Sequence, residues 1–264
     1  MEDHDDLPAD LPIDDAQSFF GVPHIHAIWN ALVPSEMTAA EVQFLAGQLG
    51  GDKAKPRVLD LACGSGRHAL GLAAGGFAVT GVDISGPELA RLTKAADKKK
   101  LDIKTVERDI RALAEWEVAK PFDGAFCFGN SISYLSADEL SEMLVALAAK
   151  LAVGAALVLD TSMVAESFLP SFHDQLEIKA ADLHLVIDND YDIEESRVIG
   201  DYTFTDAAGA VTKQRYARYC LTTRELIGLV EEAGFEVEHL LEGVDGEPYG
   251  LGSQRLLLVA HRVD

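Results

Sequence analysis

Three aspartates and one glycine turn are the residues whose types and spacing point to ligand chemistry. Cys63-Gly64-Ser65-Gly66 forms a turn with no bulky side chain, preceded by Asp60 and followed, after a second apolar run, by Asp83. Asp60 can accept hydrogen bonds from a ligand or fix the backbone of the loop. Arg108-Asp109-Ile110-Arg111 places a third acid after a third apolar run. The run Gly64-Ser65-Gly66-Arg67-His68-Ala69, with an acid after the next strand, also suits a dinucleotide-binding fold, and taken alone it does not choose between ligands.

These residues need a sheet to bring them together. Residues 58–61 are an apolar run short enough for a buried parallel strand, and the alanine and leucine spacing after Gly66 suits a helix packed on it. Residues 77–82 are again apolar and lead into Asp83. Helices and short strands then alternate, with strands expected at 103–107, 122–128 and 155–160, a pattern that favours a parallel sheet covered on both faces. Three helix starts carry a Ser/Thr-x-x-Glu capping box: Ser85 with Glu88, Ser136 with Glu139 and Thr222 with Glu225. The alternation breaks over 171–221. There, 183–193, 196–206 and 211–221 change side-chain character with period two, and Asp206-Ala207-Ala208-Gly209 marks a turn, so a small antiparallel sheet is expected as an insertion. A helix at 224–233, ended by Gly234, and strands at 235–241 and 255–261 follow; with no helix between them, those strands should be antiparallel neighbours. Upstream, 18–34 is aromatic and histidine-rich and reads as a short helical cap. Residues 36–49 form an amphipathic helix with Val42, Leu45, Ala46 and Leu49 on one side.

The 264 residues suit one domain with an insertion. No stretch reaches the roughly 18 to 20 unbroken apolar residues of a spanning helix, and the first residues are acidic and proline-broken, unlike a basic leader. A cytoplasmic protein without membrane contact is therefore expected, with residues 1–16 disordered. Cys63, Cys127 and Cys220 are widely spaced, and no CxxC pair suggests zinc or a redox centre. A net charge of -22 opposes the phosphate contacts that dominate nucleic-acid affinity, which argues against a nucleic-acid partner. Lys98-Lys99-Lys100 reads as a solvated helix end whose charge complements the dipole.

With the motifs in place, the chain resembles the class I S-adenosylmethionine-dependent methyltransferases. Val58-Leu59-Asp60-Leu61-Ala62-Cys63-Gly64-Ser65-Gly66 looks like the family's first motif, with alanine where the family often has glycine at Ala62. The resemblance covers about 56–159 and, by topology, the last helix and two strands. It implies an α/β fold: a seven-stranded, mostly parallel, Rossmann-like sheet with an antiparallel last strand and helices on both faces. It also implies S-adenosyl-L-methionine as cofactor, held by Asp60, Ala62, Cys63, Gly64 and Gly66. Asp83 matches the acid that binds both ribose hydroxyls and Asp109 the acid near the adenine amino group, with Ile84 and Ile110 flanking the ring. Phe128-Gly129-Asn130-Ser131 falls where the fourth strand opens onto the methyl group, which places Phe128 and Asn130 at the cofactor. Trp29 and Phe20 would wall the pocket. A neutral-to-cationic ligand with ribose hydroxyls suits three aspartates, whereas pyrophosphate would prefer positive surroundings.

The division expected is a disordered tail (1–16), a helical cap (17–50), a methyltransferase domain (51–170 with 222–264) and the inserted sheet (171–221). Methyl transfer is a direct displacement, so the protein mainly aligns the acceptor and excludes water. A base is needed only if the acceptor must lose a proton, and the candidates are His24, His26 and Tyr134. The two histidines could begin a metal site, but no carboxylate spacing completes it, so no metal is assigned. In the inserted sheet, Arg197, Arg215, Arg218 and Tyr219 either contact an anionic or polar small molecule or form a solvated face or homodimer surface. The expected activity is methylation of an oxygen or nitrogen of a small metabolite. Methylation of RNA or protein, a non-catalytic cofactor-binding protein and a nucleotide-dependent oxidoreductase are the alternatives.

Overall fold

The structure is a computed structural model and describes residues 12–51 and 53–263. Helices α1 (Ala16–Phe20), α2 (Pro23–Leu32) and α3 (Ser35–Leu49) come first. Strand β1 (Arg57–Leu61), α4 (Arg67–Ala74), β2 (Ala78–Asp83), α5 (Gly86–Lys99), β3 (Ile103–Glu107), β4 (Phe122–Cys127), α6 (Ala137–Ala148) and β5 (Leu151–Thr161) then alternate as the sequence predicts. After α7 (Ala165–Phe168) come β6 (Gln175–Ala180), β7 (Leu183–Asp192), β8 (Arg197–Asp206) and β9 (Val211–Tyr219). The chain closes with α8 (Thr223–Glu232), β10 (Phe235–Leu241) and β11 (Leu256–Arg262).

The main sheet has seven strands in the order β10-β11-β5-β4-β1-β2-β3. β1 to β5 are parallel, and β11 runs antiparallel to both β5 and β10. Strand alternation loads both faces. On one side Leu59, Leu61, Leu157 and Leu159 pack with Leu140 and Leu147 of α6 and Val230 of α8. On the other, Val58, Phe126 and Val158 pack with Leu45 and Leu49 of α3, Leu72 of α4 and Leu92 of α5. From β1 the chain proceeds outward to β2 and β3, then crosses back to β4 on the other side of β1. That reversal opens a crevice beyond the carboxyl ends of β1 and β4, where such sheets bind ligands.

The second sheet is antiparallel, in the order β6-β7-β8-β9, with the turn between β8 and β9 closed by the Gly209 N–H to the Asp206 carbonyl at 3.0 Å. Its first strand, β6, is a strand the sequence reading missed, and its alternation is carried by Leu176, Ile178 and Ala180 among charged residues. The expected cap over 17–50 divides in two. Phe19, Ile25 and Ile28 of α1 and α2 pack against Leu185, Ile187, Tyr202 and Phe204 of the inserted sheet, whereas α3 lies on the main sheet. Cap and insert thus share one core, closed at its edge by Ile84 and Tyr134. Residues 1–11 of the expected tail lie outside the described residues. The remainder is ordered, because Asp14 exchanges hydrogen bonds with the Arg215 backbone and Asp15 caps α1 by accepting from the Ser18 N–H at 2.7 Å.

Two of the three capping boxes form, at Ser136 and Thr222. The third does not. Ser85 makes no side-chain cap; its N–H donates to Asp83, and Glu88 turns away to pair with Arg91. Among the described residues, no helix is long and apolar enough to cross a membrane.

Candidate active site

The turn after β1 requires glycine at Gly66 and favours it at Gly64. Gly66 sits at φ +79°, and a Cβ there would lie 2.3 Å from Leu92 Cδ1, so its bareness sets how closely α4 approaches α5. Gly64, at φ +53°, donates its N–H to Asp83 Oδ2 at 2.7 Å, while the Ser85 N–H donates to Asp83 Oδ1 at 2.8 Å. Asp83 therefore ties the ends of β1 and β2 together. Burial raises its pKa, opposed by those two amides.

Asp60 is less fully satisfied. It is 2 % exposed, and its Oδ2 is buried without a hydrogen-bond partner. Burial, and then the charge of Asp83, push its pKa well above the usual carboxylate range, with Arg67 opposing. Glu88 repeats the theme: its Oε1 accepts from Arg91 at 2.6 Å while its buried Oε2 has no partner. All three carboxylates line a single cavity of about 360 Å³. A buried acceptor without a donor is costly, by about 1 to 3 kcal/mol, so the cavity favours a ligand rich in hydroxyl and ammonium donors.

Asp109 lines the same cavity, but its carboxylate is already engaged. Both oxygens receive the Arg111 side chain, at 2.6 to 3.1 Å, and Oδ1 also takes the Arg111 N–H at 2.9 Å. Burial raises its pKa, but the Arg111 hydrogen bonds outweigh it and hold the carboxyl below its ordinary value. Asp109 caps the short helix Ile110–Glu115 and pairs with Arg111, because two oppositely charged residues two apart at a helix start close on each other. Ile84 and Ile110 line the wall beside it, as do Ala62 and Cys63, whereas Gly66 packs behind the turn.

The roof comes from the cap. Phe20, His26 and Trp29 line the cavity; His24 does not. His24 and His26 are two apart on α2, about 200° around the helix, so they cannot share a face. The His24 ring packs toward Phe204 of the insert at 5.9 Å, away from the cavity wall. His26 Nε2 lies 2.7 Å from the Phe20 carbonyl; an oxygen that can only accept fixes the proton on Nε2 and leaves the lone pair of neutral imidazole on Nδ1. Tyr134 is also at the cavity, packed among Phe19, Phe20 and Tyr216. Burial, with Tyr202 next, pushes its phenol above its ordinary value, and the ring forms part of the cavity wall. Asn130, at φ +66°, accepts from the Ser162 N–H and hydroxyl, and Phe128 stands edge-on to His68 at 5.0 Å. Among the described residues, no group of three or more His, Cys, Asp or Glu side chains could hold a metal ion.

Known proteins share this stretch of sequence and this fold. Residues 58–154 match the family described as "Methyltransferase domain". This stretch is a methyltransferase domain. It is 33% identical over 112 residues to glycine/sarcosine N-methyltransferase of Aphanothece halophytica, a match covering 42% of each protein. The matched region thus spans about two-fifths of the length of the curated relatives, 42% and 40%. The fold is the class I, Rossmann-like methyltransferase fold. The CcbJ methyltransferase of Streptomyces caelestis superposes with a TM-score of 0.76 at 16% identity, over 90% of this chain and 95% of that one. The S-adenosylmethionine-bound amino pentose methyltransferase CalS10 of Micromonospora echinaspora does so with 0.67 at 21%, over 92% and 98%.

A polar hub that no sequence motif announces lies beside the cavity. Glu41 of α3, almost fully buried, accepts from Arg67, from His68 Nε2 at 2.9 Å and from Arg255 Nη1 at 2.8 Å. Burial raises its pKa, but His68, Arg255 and Arg67 together bring it down to about 2. Arg255 also reaches Asp160, whose Oδ2 accepts the Gly129 N–H at 2.8 Å. The hub joins α3, the glycine turn and the end of β4, which positions both loops that face the cavity. Arg67 and His68 follow the glycines directly and were the available signal; their partner is too far away in sequence to be read. Of the four insert residues expected at the site, only Arg218 lines this cavity. Arg197 pairs with Asp192 and Arg215 with Asp201 elsewhere on the sheet.

Proposed function

We propose that this chain uses S-adenosylmethionine to methylate a nitrogen or oxygen of a small metabolite, releasing S-adenosylhomocysteine. The observation that carries the reading is the buried, unpartnered Asp60 Oδ2 in the cavity beside Asp83. The methionine ammonium is a donor of the right charge for Asp60, and the ribose hydroxyls suit the lone pairs that Asp83 has left. Ile84, Ile110 and Phe128 offer apolar flanks for the adenine.

S-Adenosylmethionine, when bound, supplies a methyl carbon on a cationic sulfur; the acceptor's lone pair forms the new bond as the C–S pair returns to sulfur. The chain's own residues then have three tasks. Phe20, Trp29 and Tyr134 exclude water and confine the acceptor. Asn130 and the Ser131 turn hold the end of β4 where the acceptor is aligned. His26 takes the acceptor's proton on Nδ1, its tautomer set by the Phe20 carbonyl.

A small acceptor is supported by the cavity's size, about 360 Å³, and by its roof of cap and insert. The net charge of -22 weighs against RNA. Nitrogen is favoured by the relative named for glycine and sarcosine and by the neighbour named for an amino pentose. The test is to incubate the protein with methyl-labelled cofactor and a low-molecular-weight metabolite extract. Label should enter a small molecule; label on macromolecules only, or none above that seen with Asp83→Ala, would defeat the reading.

A further inference from the structure

The arginines around the cavity are paired with carboxylates, with one exception. Arg67 pairs with Glu41 and Arg111 with Asp109. In the insert, Arg197 pairs with Asp192 and Arg215 with Asp201. Arg218 has no carboxylate partner among the described residues. Its Nη2 donates to the neutral Asn189 Oδ1 at 3.1 Å, and its Nε is buried without a partner. It is nevertheless part of the cavity wall, next to Tyr134 and Tyr216.

Strand geometry explains why this arginine faces inward. Alternate residues of β9 share a face. Gln214 donates to the Ser18 carbonyl at 3.1 Å and Tyr216 stacks on Phe19 at 4.5 Å, so the face carrying 214, 216 and 218 is turned to the cap and cavity. Arg215 lies on the opposite face and is satisfied there by Asp201. A half-buried guanidinium with no counter-charge, in a chain with a net charge of -22, needs a reason.

We infer that Arg218 is the anchor for an anionic group of the methyl acceptor, and that the acceptor is a small compound bearing a carboxylate. This rests on the methyltransferase reading for the word acceptor, but the binding claim stands on Arg218 alone. A carboxylate is favoured over a phosphate because one guanidinium balances one negative charge, while Asp60, Asp83 and Glu88 line the same cavity and would repel a dianion. Held at the insert side, such an acceptor leaves its amine or hydroxyl to reach toward the end of β4 and His26.

The test uses acetate and its neutral isostere acetamide as probes, followed by ligand-observed NMR with the full chain, with and without saturating S-adenosylhomocysteine. Acetate should bind at least about tenfold more tightly than acetamide. Arg218→Gln should erase that difference while S-adenosylhomocysteine affinity stays within about twofold. Arg218→Lys should retain part of it, and Arg197→Gln, on a paired arginine, should leave it intact; thermal melts confirm that each variant folds. The inference is overturned if acetate and acetamide bind alike, if neither binds, or if Arg218→Gln binds acetate as the parent does. It is also overturned if Arg218→Gln loses S-adenosylhomocysteine instead, since Arg218 would then serve the cofactor. Failure of the parent to bind S-adenosylhomocysteine would strike the methyltransferase reading, and the acetate series without it would still decide the role of Arg218.

Discussion

Replacing Asp60 by Asn should push stability and cofactor affinity in opposite directions. Asp60 is buried, its Oδ2 has no partner, and its charge is opposed by burial and by Asp83. Asn has nearly the same volume and keeps an acceptor, but it carries no charge to desolvate. Relieving an unsatisfied buried acid should return about 1 to 2 kcal/mol to the ligand-free protein. At about 2 to 4 °C per kcal/mol for a chain of this size, Tm rises by roughly 2 to 8 °C. The same change removes a charged hydrogen bond to the cofactor, a loss of about 1.5 to 3 kcal/mol, or tenfold to a hundredfold in Kd. Differential scanning calorimetry without ligand and titration calorimetry with S-adenosylhomocysteine read the two effects on one preparation. A lower Tm with unchanged affinity would refute the reasoning and make Asp60 a support for the glycine turn, through the Ala69 amide that acts on it.

Three further changes test the frame around the site. Glu41→Gln leaves Arg67 without its counter-charge and Arg255 with Asp160 alone, and should destabilise by about 3 to 5 kcal/mol at pH 7 in urea unfolding. Because the Glu41 carboxyl is depressed to about 2 in the fold, its contribution is complete above its unfolded value and is lost as pH falls toward 2, so the gap between parent and variant must narrow at pH 3; a constant gap would contradict the ion-pair account. Gly66→Ala should lower the urea midpoint by at least about 2 kcal/mol equivalent, since φ is +79° and the added Cβ meets buried Leu92; an unchanged midpoint would show that α4 and α5 can part freely. His26→Gln keeps an N–H toward the Phe20 carbonyl but removes the basic nitrogen. It should slow transfer to the trapped acceptor about a hundredfold or more, with cofactor affinity within about twofold, and an undiminished rate would dismiss His26 as the base.

The glycine turn and its aspartates were legible because short apolar strands ending in acids, separated by helix periodicity, leave few ways to build a sheet. The antiparallel edge was legible too, since no helix separates β10 from β11. What escaped has physical causes. His24 and His26 look like a pair in the sequence, but a helix turns them apart, and only the face covered by the insert shows which one reaches the cavity. Asp109 reads as an acid after a strand, yet Arg111, two residues on, claims both of its oxygens. Ser85-Gly86-Pro87-Glu88 has the spacing of a capping box, but Asp83 takes the Ser85 N–H and Glu88 enters the cavity wall. The Glu41 hub joins residues as far apart as Arg67 and Arg255, and no local pattern encodes such a meeting.

The central claim is that the crevice between the ends of β1 and β4 holds S-adenosylmethionine. Titration calorimetry of the full chain with S-adenosylmethionine and S-adenosylhomocysteine tests it most directly. One site per chain with a sub-millimolar Kd for both, weakened at least about tenfold in Asp83→Ala, is the predicted result. No heat above background, or binding that Asp83→Ala leaves untouched, would contradict it.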